Sequence, residues 1–133
     1  MKPIDVAAGL VFHSGRLLIT QRHSHDHLGD LWEFPGGKVE PDETFEKCLR
    51  RELNEELGID VEVGSLLESV THSYPEKTIR LQFYVCSLTK GEAAPLGCQA
   101  VAWITASELD QYLFPAADAQ LLIKLKGLPG LWK

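Results

Sequence analysis

Three glutamates, Glu52, Glu55 and Glu56, are spaced so that one helix would bring their carboxylates close together. The predicted helix begins at an N-cap, Thr44, and ends at a C-cap, Gly58. Apolar residues recur within it at every fourth position, and they are Phe45, Leu49, Leu53 and Leu57. At about 100° per residue, Glu52 and Glu56 fall beside this apolar stripe and Glu55 falls at its margin. Two carboxylates therefore point toward the predicted core.

Such carboxylates need a positive partner. Burying an unpaired carboxylate costs several kcal/mol, and neighbouring glutamates also repel one another. Arg51 is one partner, but a single guanidinium does not neutralise three acids. Hard divalent cations such as Mg²⁺ bind oxygen ligands of this kind and keep other positions for water and a substrate phosphate. The pattern predicts a metal site, and its alternative is a solvated, glutamate-rich helix face.

The segment before the helix, Pro35-Gly36-Gly37-Lys38, predicts a sharp turn, since its glycines are able to take positive φ. Glycines also let backbone carbonyls and amides approach a metal or a phosphate closely. Lys38 is a candidate phosphate ligand, although a lone lysine is usually solvated. A plain turn is the alternative interpretation. The position of this segment, one loop away from the glutamates, favours a functional role.

The rest of the pattern predicts strands on both sides of this helix and a second helix near residue 120. The predicted strands are residues 6–12, 17–20, 32–34, 61–70, 78–85 and 100–104, and the second helix is residues 116–126. Residues 23–31 follow neither period and predict a loop. This order indicates an α+β fold or a mixed-sheet sandwich, and residues 1–133 are long enough for one domain.

Composition narrows the classes of function. Thirteen Lys and Arg against nineteen Asp and Glu give a net charge of −6 without a basic cluster, which argues against nucleic acid as a partner. The apolar stretch near the start is too short to span a membrane. Three widely spaced cysteines and no secretory pattern favour a reducing cytoplasm. Nothing in the pattern indicates an oligomeric state.

The most specific motif runs from Gly37 to Ile59. It reads Gly37, five residues, Glu43, seven residues, and then Arg51-Glu52-Leu53-Asn54-Glu55-Glu56-Leu57-Gly58-Ile59. This order and spacing resemble the complete Nudix box, Gx5Ex7REUxEExGU, in which U is aliphatic. Further segments resemble the MutT-like branch of that family and cover nearly the whole chain. They are Ile19-Thr20-Gln21-Arg22, Trp32-Glu33-Phe34-Pro35-Gly36-Gly37-Lys38, Tyr74-Pro75-Glu76, Trp103 and Phe114-Pro115-Ala116-Ala117-Asp118.

The resemblance implies a mixed β-sheet sandwiched between helices and an enzyme that hydrolyses a nucleoside diphosphate linked to a further group X. Water is the implied nucleophile, and Mg²⁺ or Mn²⁺ assists. The implied metal ligands are Gly37, Glu52, Glu55 and Glu56. Glu43 is implied to orient water or a ligand, and Arg51 to orient a neighbouring carboxylate. The general base stays open between Glu52 and residues outside the box.

The MutT-like branch also implies a nucleobase pocket, at Arg22, Phe34, Leu81 and Asp118. Phe34 offers an aromatic face to a base, with core packing as the alternative. An ionised Asp118 only accepts hydrogen bonds and suits the N–H donors of guanine or cytosine, unless it is simply a first-turn acid of the second helix. Arg22 would contact the base or the phosphates, or else lie on the surface. We therefore expect cleavage of nucleoside triphosphates, including 8-oxo-dGTP, to monophosphate and pyrophosphate.

One position departs from the family pattern. MutT-type enzymes often carry another metal-binding glutamate in the loop before the strand of Trp103, and Gly97 stands at that place. Glu92 could substitute, one metal could bind less tightly, or the base could lie wholly within the helix. Gln99 in the same loop could position water but cannot act as a base.

Three other functions stay open. One is a Nudix hydrolase of ADP-ribose or dinucleoside polyphosphates, for which Tyr74-Pro75 is a marker that the MutT-like branch shares. A second is a non-catalytic Nudix-fold nucleotide-binding module, which the intact box disfavours. The third is a small acidic metal-binding protein without chemistry.

Overall fold

The structure of the protein, a computed structural model, describes residues 3–133. Its strands are β1 (Ile4–His13), β2 (Arg16–Gln21), β3 (Trp32–Glu33), β4 (Gly36–Lys38), β5 (Asp60–Ser73), β6 (Thr78–Lys90) and β7 (Ala100–Ile104). The α-helices are α1 (Phe45–Leu57) and α2 (Ala119–Lys126), and short 3₁₀ helices occupy Ala106–Gln111, Ala116–Asp118 and Pro129–Trp132. No helix within residues 3–133 is long and apolar enough to cross a membrane.

The strands of the described residues form one mixed sheet in the order β3-β2-β1-β6-β5. In addition, β4 pairs with β1 and β7 pairs with β2. Strand β1 runs parallel to β6, with Ile4 opposite Ile79, whereas the other pairings are antiparallel. The expected mixed sheet is therefore present, with β1 at its centre.

Alternation along β1 and β2 places apolar side chains on both faces of the sheet. Ala7, Val11 and Leu18 lie in one buried cluster, together with Leu49 and Leu53 of α1. A second cluster contains Leu10, Leu17 and Ile19, and α2 contributes Leu121 and Leu125 to it. Helices thus cover both faces, and the predicted α+β fold with a sheet between helices is confirmed.

The chain bends at Pro35, as expected, but the paired glycines that follow do not take positive φ. Gly36 and Gly37 form β4, and among the glycines of residues 3–133 positive φ occurs at Gly15, Gly58 and Gly91. The glycines are needed for close approach, because a Cβ at Gly36 would overlap the carbonyl of Ala7 on the neighbouring strand. The missing side chains let β4 lie against β1 beneath α1.

Three other elements differ most from their predicted bounds. The long hairpin extends through β5 and β6 beyond the predicted segments, since cross-strand pairing continues from Val61 to Ser73 with β-bulges. The last helix begins at Ala119 because a 3₁₀ turn that follows Pro115 occupies the three residues before it. Local periodicity does not report pairing of this kind.

Helix α1 has the caps that the sequence predicts. The Thr44 hydroxyl accepts a hydrogen bond of 3.1 Å from the amide of Lys47. Gly58 ends the helix with φ at 72°, and its amide donates to the Asn54 carbonyl at 2.9 Å. These caps fix where the helix begins and ends, and therefore where its glutamates lie.

We predict that Thr44→Ala destabilises the protein by about 1 kcal/mol, because it removes the acceptor of the Lys47 amide. Thr44→Ser retains the hydroxyl and should lie close to the wild type. Urea denaturation at 25 °C gives both free energies of unfolding. Equal stability of the alanine and serine variants would contradict the assigned cap.

Candidate active site

A cavity of about 380 Å³ opens between β1, β4, β6 and the segment before α2. Six of the residues that the sequence singled out line this cavity, and they are Arg22, Phe34, Gly37, Glu56, Leu81 and Asp118. They come from distant parts of the chain, and the mixed sheet brings them together. The cavity is the candidate active site.

The other five sequence-predicted residues lie outside the cavity lining. They are Lys38, Glu43, Arg51, Glu52 and Glu55. Glu52 borders the cavity behind Gly37, and Glu43 and Arg51 form a group next to it. Lys38 is exposed at the end of β4 and Glu55 is 61% exposed. The helix therefore turns a pair of glutamates inward rather than all three.

Glu52 lies directly against the backbone of Gly37. A Cβ added to Gly37 would come within 2.6 Å of Glu52 Oε2 and 2.7 Å of Oε1. Real Cβ atoms do not approach other atoms so closely, so any larger residue would displace the carboxylate. Glycine at this position makes room for an acidic side chain that is only 15% exposed.

Among the acids that line the cavity, Glu56 has the most strongly raised pKa. Burial raises the pKa of Glu56 well above its usual range, and the hydrogen bond with Glu52 and the charges of Glu52 and Glu33 add to the rise. Desolvation and like charge act in the same direction here. A cation bound between Glu52 and Glu56 would relieve both effects.

Arg51 forms hydrogen bonds to two acids outside the cavity lining, Glu43 and Glu52. Its Nε donates to Glu43 Oε2 at 2.7 Å and its Nη2 to Glu43 Oε1 at 3.0 Å, which is a two-point contact. Its Nη1 donates to Glu52 Oε1 at 2.8 Å. Hydrogen bonds from Arg51 lower the pKa of Glu43 to about 2. Arg51 thus holds Glu43 ionised and fixes one oxygen of Glu52.

The donor set suits a hard divalent cation. Glu52 and Glu56 supply carboxylate oxygens, and the Gly37 carbonyl, which accepts a 3.4 Å bond from the Cys48 thiol, is a backbone oxygen next to them. Within residues 3–133, no three His, Cys, Asp or Glu side chains are already gathered as a metal cage. The exposed Glu55 would have to turn inward to act as a third carboxylate ligand.

The backbone of the loop at Gly97 contacts the C-terminal end of α1. The amides of Leu96 and Gly97 both donate to the Glu56 carbonyl, at 3.1 and 3.0 Å. A Cβ at Gly97 would lie 3.1 Å from Glu56 Cγ, so a larger residue would press on the Glu56 side chain. Glu92 is exposed and lies outside the cavity lining.

Phe34 and Arg22 form part of the opposite wall. The Phe34 ring is 5% exposed and stacks on Phe114, with centroids 5.2 Å apart and an interplanar angle of 17°. Most of the ring therefore packs in the core, and one of its faces is covered. Arg22 donates to the His27 carbonyl at 2.8 Å and to Glu33 at 3.2 Å. Both side chains have protein partners as well as cavity contact.

Asp118 precedes α2, but its carboxylate makes no capping hydrogen bond to the helix. Its residue is 8% exposed and faces the cavity. Burial, with the charge of Glu33, raises the pKa of Asp118 to about 6. The pKa of Glu33 is also raised, because the effect of burial outweighs the opposing effect of Arg22.

Sequence reasoning missed Glu33 as a member of the site. It stands in the segment Trp32-Glu33-Phe34, where a two-residue strand has no period that would indicate which side chain faces inward. An acid between two aromatic residues was the available signal. The structure places Glu33 in the same cavity as Asp118 and Glu56.

We predict that Asp118→Asn gains stability relative to the wild type as pH rises from 4 to 7. The folded-state pKa lies above the unfolded value near 3.8, so the native protein binds the extra proton and loses stability when it dissociates. A rise of this size corresponds to about 2–3 kcal/mol at neutral pH. Urea denaturation at several pH values measures the difference.

Glu76→Gln, which removes one negative charge from the exposed turn of the β5–β6 hairpin, is the control for net charge. A stability difference between Asp118→Asn and the wild type that stays constant from pH 4 to 7 would contradict the assigned burial effect.

The profile of the NUDIX domain family matches residues 7–124. The chain is 44% identical over 92 residues to an 8-oxo-dGTP diphosphatase of Proteus vulgaris, covering 68% of this chain and 82% of the relative. It is 38% identical over 122 residues to the CTP pyrophosphohydrolase of Escherichia coli K12, covering 92% and 90%.

Solved structures agree with these relatives. The solution structure of the E. coli ORF135 protein superposes with a TM-score of 0.80 at 35% identity, covering 96% of this chain and 91% of that one. A crystal structure of MutT protein from Methanosarcina mazei Go1 superposes with a TM-score of 0.82 over 95% of each chain, and at 23% identity it supports the fold alone. Together with the intact glutamate motif, these matches show that the chain belongs to the Nudix family, in its MutT-like branch.

Proposed function

We propose that the protein is a Mg²⁺-dependent nucleoside triphosphate pyrophosphohydrolase of MutT type. It would add water across a phosphoanhydride bond of guanine or cytidine nucleotides, including 8-oxo-dGTP, and release monophosphate and pyrophosphate. One observation carries the proposal, which is that Glu56, with Glu52 behind it, shares a cavity of about 380 Å³ with the acids Asp118 and Glu33. Relatives named 8-oxo-dGTP diphosphatase and CTP pyrophosphohydrolase support it.

Nudix hydrolases generally need a divalent metal, and we propose Mg²⁺ with Mn²⁺ as a substitute. Glu52 and Glu56, the Gly37 carbonyl and a reoriented Glu55 would hold it. When bound, the cation would neutralise phosphate charge and lower the pKa of bound water.

The chain's own residues would orient the reaction. Arg51 holds Glu52 through one oxygen, and the other oxygen would be available to bind the cation. Glu43, held in turn by Arg51 and by the Glu40 amide at 3.0 Å, would fix the guanidinium. Proton acceptance from water is open between Glu52 and acids outside the box, among which Glu33 lines the cavity.

Base selection would rest on Asp118 with Glu33. Ionised carboxylates accept hydrogen bonds, which suits guanine N1–H and 2-amino groups or the cytosine 4-amino group. Because the pKa of Asp118 is raised to about 6, its carboxyl also carries a proton in part of the molecules just below neutral pH, and that proton could be donated to a base oxygen. Phe34 and Leu81 would supply the apolar wall.

We predict that Glu56→Gln lowers kcat by orders of magnitude and leaves the fold intact, because it removes a charged metal ligand. Mn²⁺ binding followed by electron paramagnetic resonance should weaken in parallel. Glu46→Gln, an exposed substitution in the first turn of the same helix, is the matched control. A kcat near the wild-type value in Glu56→Gln would reject the proposed metal site.

A substrate panel tests the proposed specificity. Release of pyrophosphate or phosphate with Mg²⁺ is measured from 8-oxo-dGTP, dGTP, CTP, dCTP, ADP-ribose and a dinucleoside tetraphosphate, and kcat/KM is compared. We expect the highest values for 8-oxo-dGTP or cytidine nucleotides. Activity confined to ADP-ribose or the dinucleotide would discard the proposed base pocket, and no activity with any of them would favour a binding module.

A further inference from the structure

Residues 22–31 form a loop between β2 and β3 that supplies one wall of the cavity. Arg22, His23 and Asp26 line the cavity from this loop. The loop is closed at its base, because the Arg22 amide donates to the Leu31 carbonyl at 3.0 Å. Its position therefore sets the width of the cavity on that side.

The loop is held in a backbone shape that it would not adopt unaided. Leu28 and Asp30 have φ of 57° and 66°, a region that residues other than glycine rarely occupy. Between them, Gly29 lies so close to the Ser24 carbonyl that a Cβ would overlap it. Conformations of this kind persist where surrounding contacts determine them.

Gln21 Nε2 donates to the Asp30 carbonyl at 3.1 Å, and the contacts to the Asp30 side chain come from Gln99, in the loop before β7. Its Nε2 donates to Asp30 Oδ1 at 2.9 Å. The Ser24 hydroxyl lies 2.7 Å from Asp30 Oδ1 and 3.0 Å from Gln99 Oε1, so its proton is available to either oxygen. We call Ser24, Asp30 and Gln99 the Gln99 cluster. Both ends of the Gln99 amide are engaged, which leaves it occupied rather than directed at a reacting water.

The Gln99 cluster is anchored on both sides of the cavity. The backbone N–H of Gln99 donates to the backbone carbonyl of Gln21, at the end of β2, at 2.8 Å. Just before it in the chain, the amides of Leu96 and Gly97 hold the carbonyl of Glu56. A short backbone segment thus joins the end of helix α1 to the wall formed by the 22–31 loop.

We propose that Gln99 is a positioning residue that fixes the 22–31 loop, and with it Arg22, His23 and Asp26, at a set distance from the glutamates of α1. The role is in substrate binding rather than in bond cleavage, since the loop carries the cavity wall and none of the proposed metal ligands. This inference rests on the cavity being the nucleotide site.

The test removes the amide donor with Gln99→Leu and measures steady-state kinetics with dGTP and dCTP in Mg²⁺. Loss of exposed hydrogen bonds of ordinary strength should raise KM about threefold to tenfold, with kcat within twofold. Hydrogen exchange is measured in the same variant without nucleotide. The Asp30 and Leu31 amides, which donate to Arg22 and Leu28 within the loop, should exchange faster.

Two further variants identify the cause. Asp30→Asn keeps an acceptor oxygen and tolerates positive φ, so KM and loop exchange should match the wild type. Gln99→Glu keeps the size of the side chain but replaces the donor with an acceptor facing Asp30, and should behave like Gln99→Leu. Asn54→Leu removes a comparable bond, of 3.1 Å to Asp60, on the exposed side of α1 and is the control.

Unchanged KM in Gln99→Leu, with or without faster exchange, would overturn the positioning role, and so would a fall in kcat at constant KM. A rise in KM that Asp30→Asn reproduces would show that the effect does not pass through the hydrogen bond. If the wild type hydrolyses neither nucleotide, the same kinetics are measured with 8-oxo-dGTP and CTP. Inactivity with all four nucleotides is the separate failure of the proposed function, and the exchange data with dGMP titration still test the loop.

Discussion

The close approach of β4 to helix α1 is the constraint on which the rest of the site depends. At Gly37 the backbone touches the Glu52 carboxylate, with no room for even one carbon atom between them. The apolar cluster that contains Leu49 and Leu53 holds the helix and the sheet at this distance. A half-buried acid is stable there only because tight packing elsewhere keeps the helix in place.

Charge is divided unequally among the acids. Arg51 donates hydrogen bonds to Glu43 and Glu52 outside the cavity lining. These bonds lower the pKa of Glu43 to about 2. Glu56 faces the cavity together with Glu33 and Asp118, whose pKa values are also raised. The acids with raised pKa values are thus gathered on the cavity side of the helix, which is where the proposed cation would bind.

Local patterns predicted α1 closely, because Thr44 and Gly58 satisfy the backbone at its two ends and the leucine spacing orients Glu52 and Glu56. The family resemblance added Arg22, Leu81 and Asp118, which the fold brings to one cavity. The pairing of β4 with β1, the inward turn of Glu33 and the contact of Gln99 with Asp30 were not predictable. Each depends on residues distant in sequence, and neither period nor propensity carries that information.

The parallel pairing of β1 with β6 also shapes how the protein assembles. Ile4 lies opposite Ile79 and Phe12 opposite Ser87, so more than half of the chain separates partners at the centre of the sheet. Such high contact order requires a large loss of chain entropy before the central contacts form, and it slows folding. The lining of the cavity comes from residues between Val6 and Asp118, so the cavity forms only when nearly the whole chain has folded. A partly folded chain would hold the helical glutamates but have no pocket in which to use them.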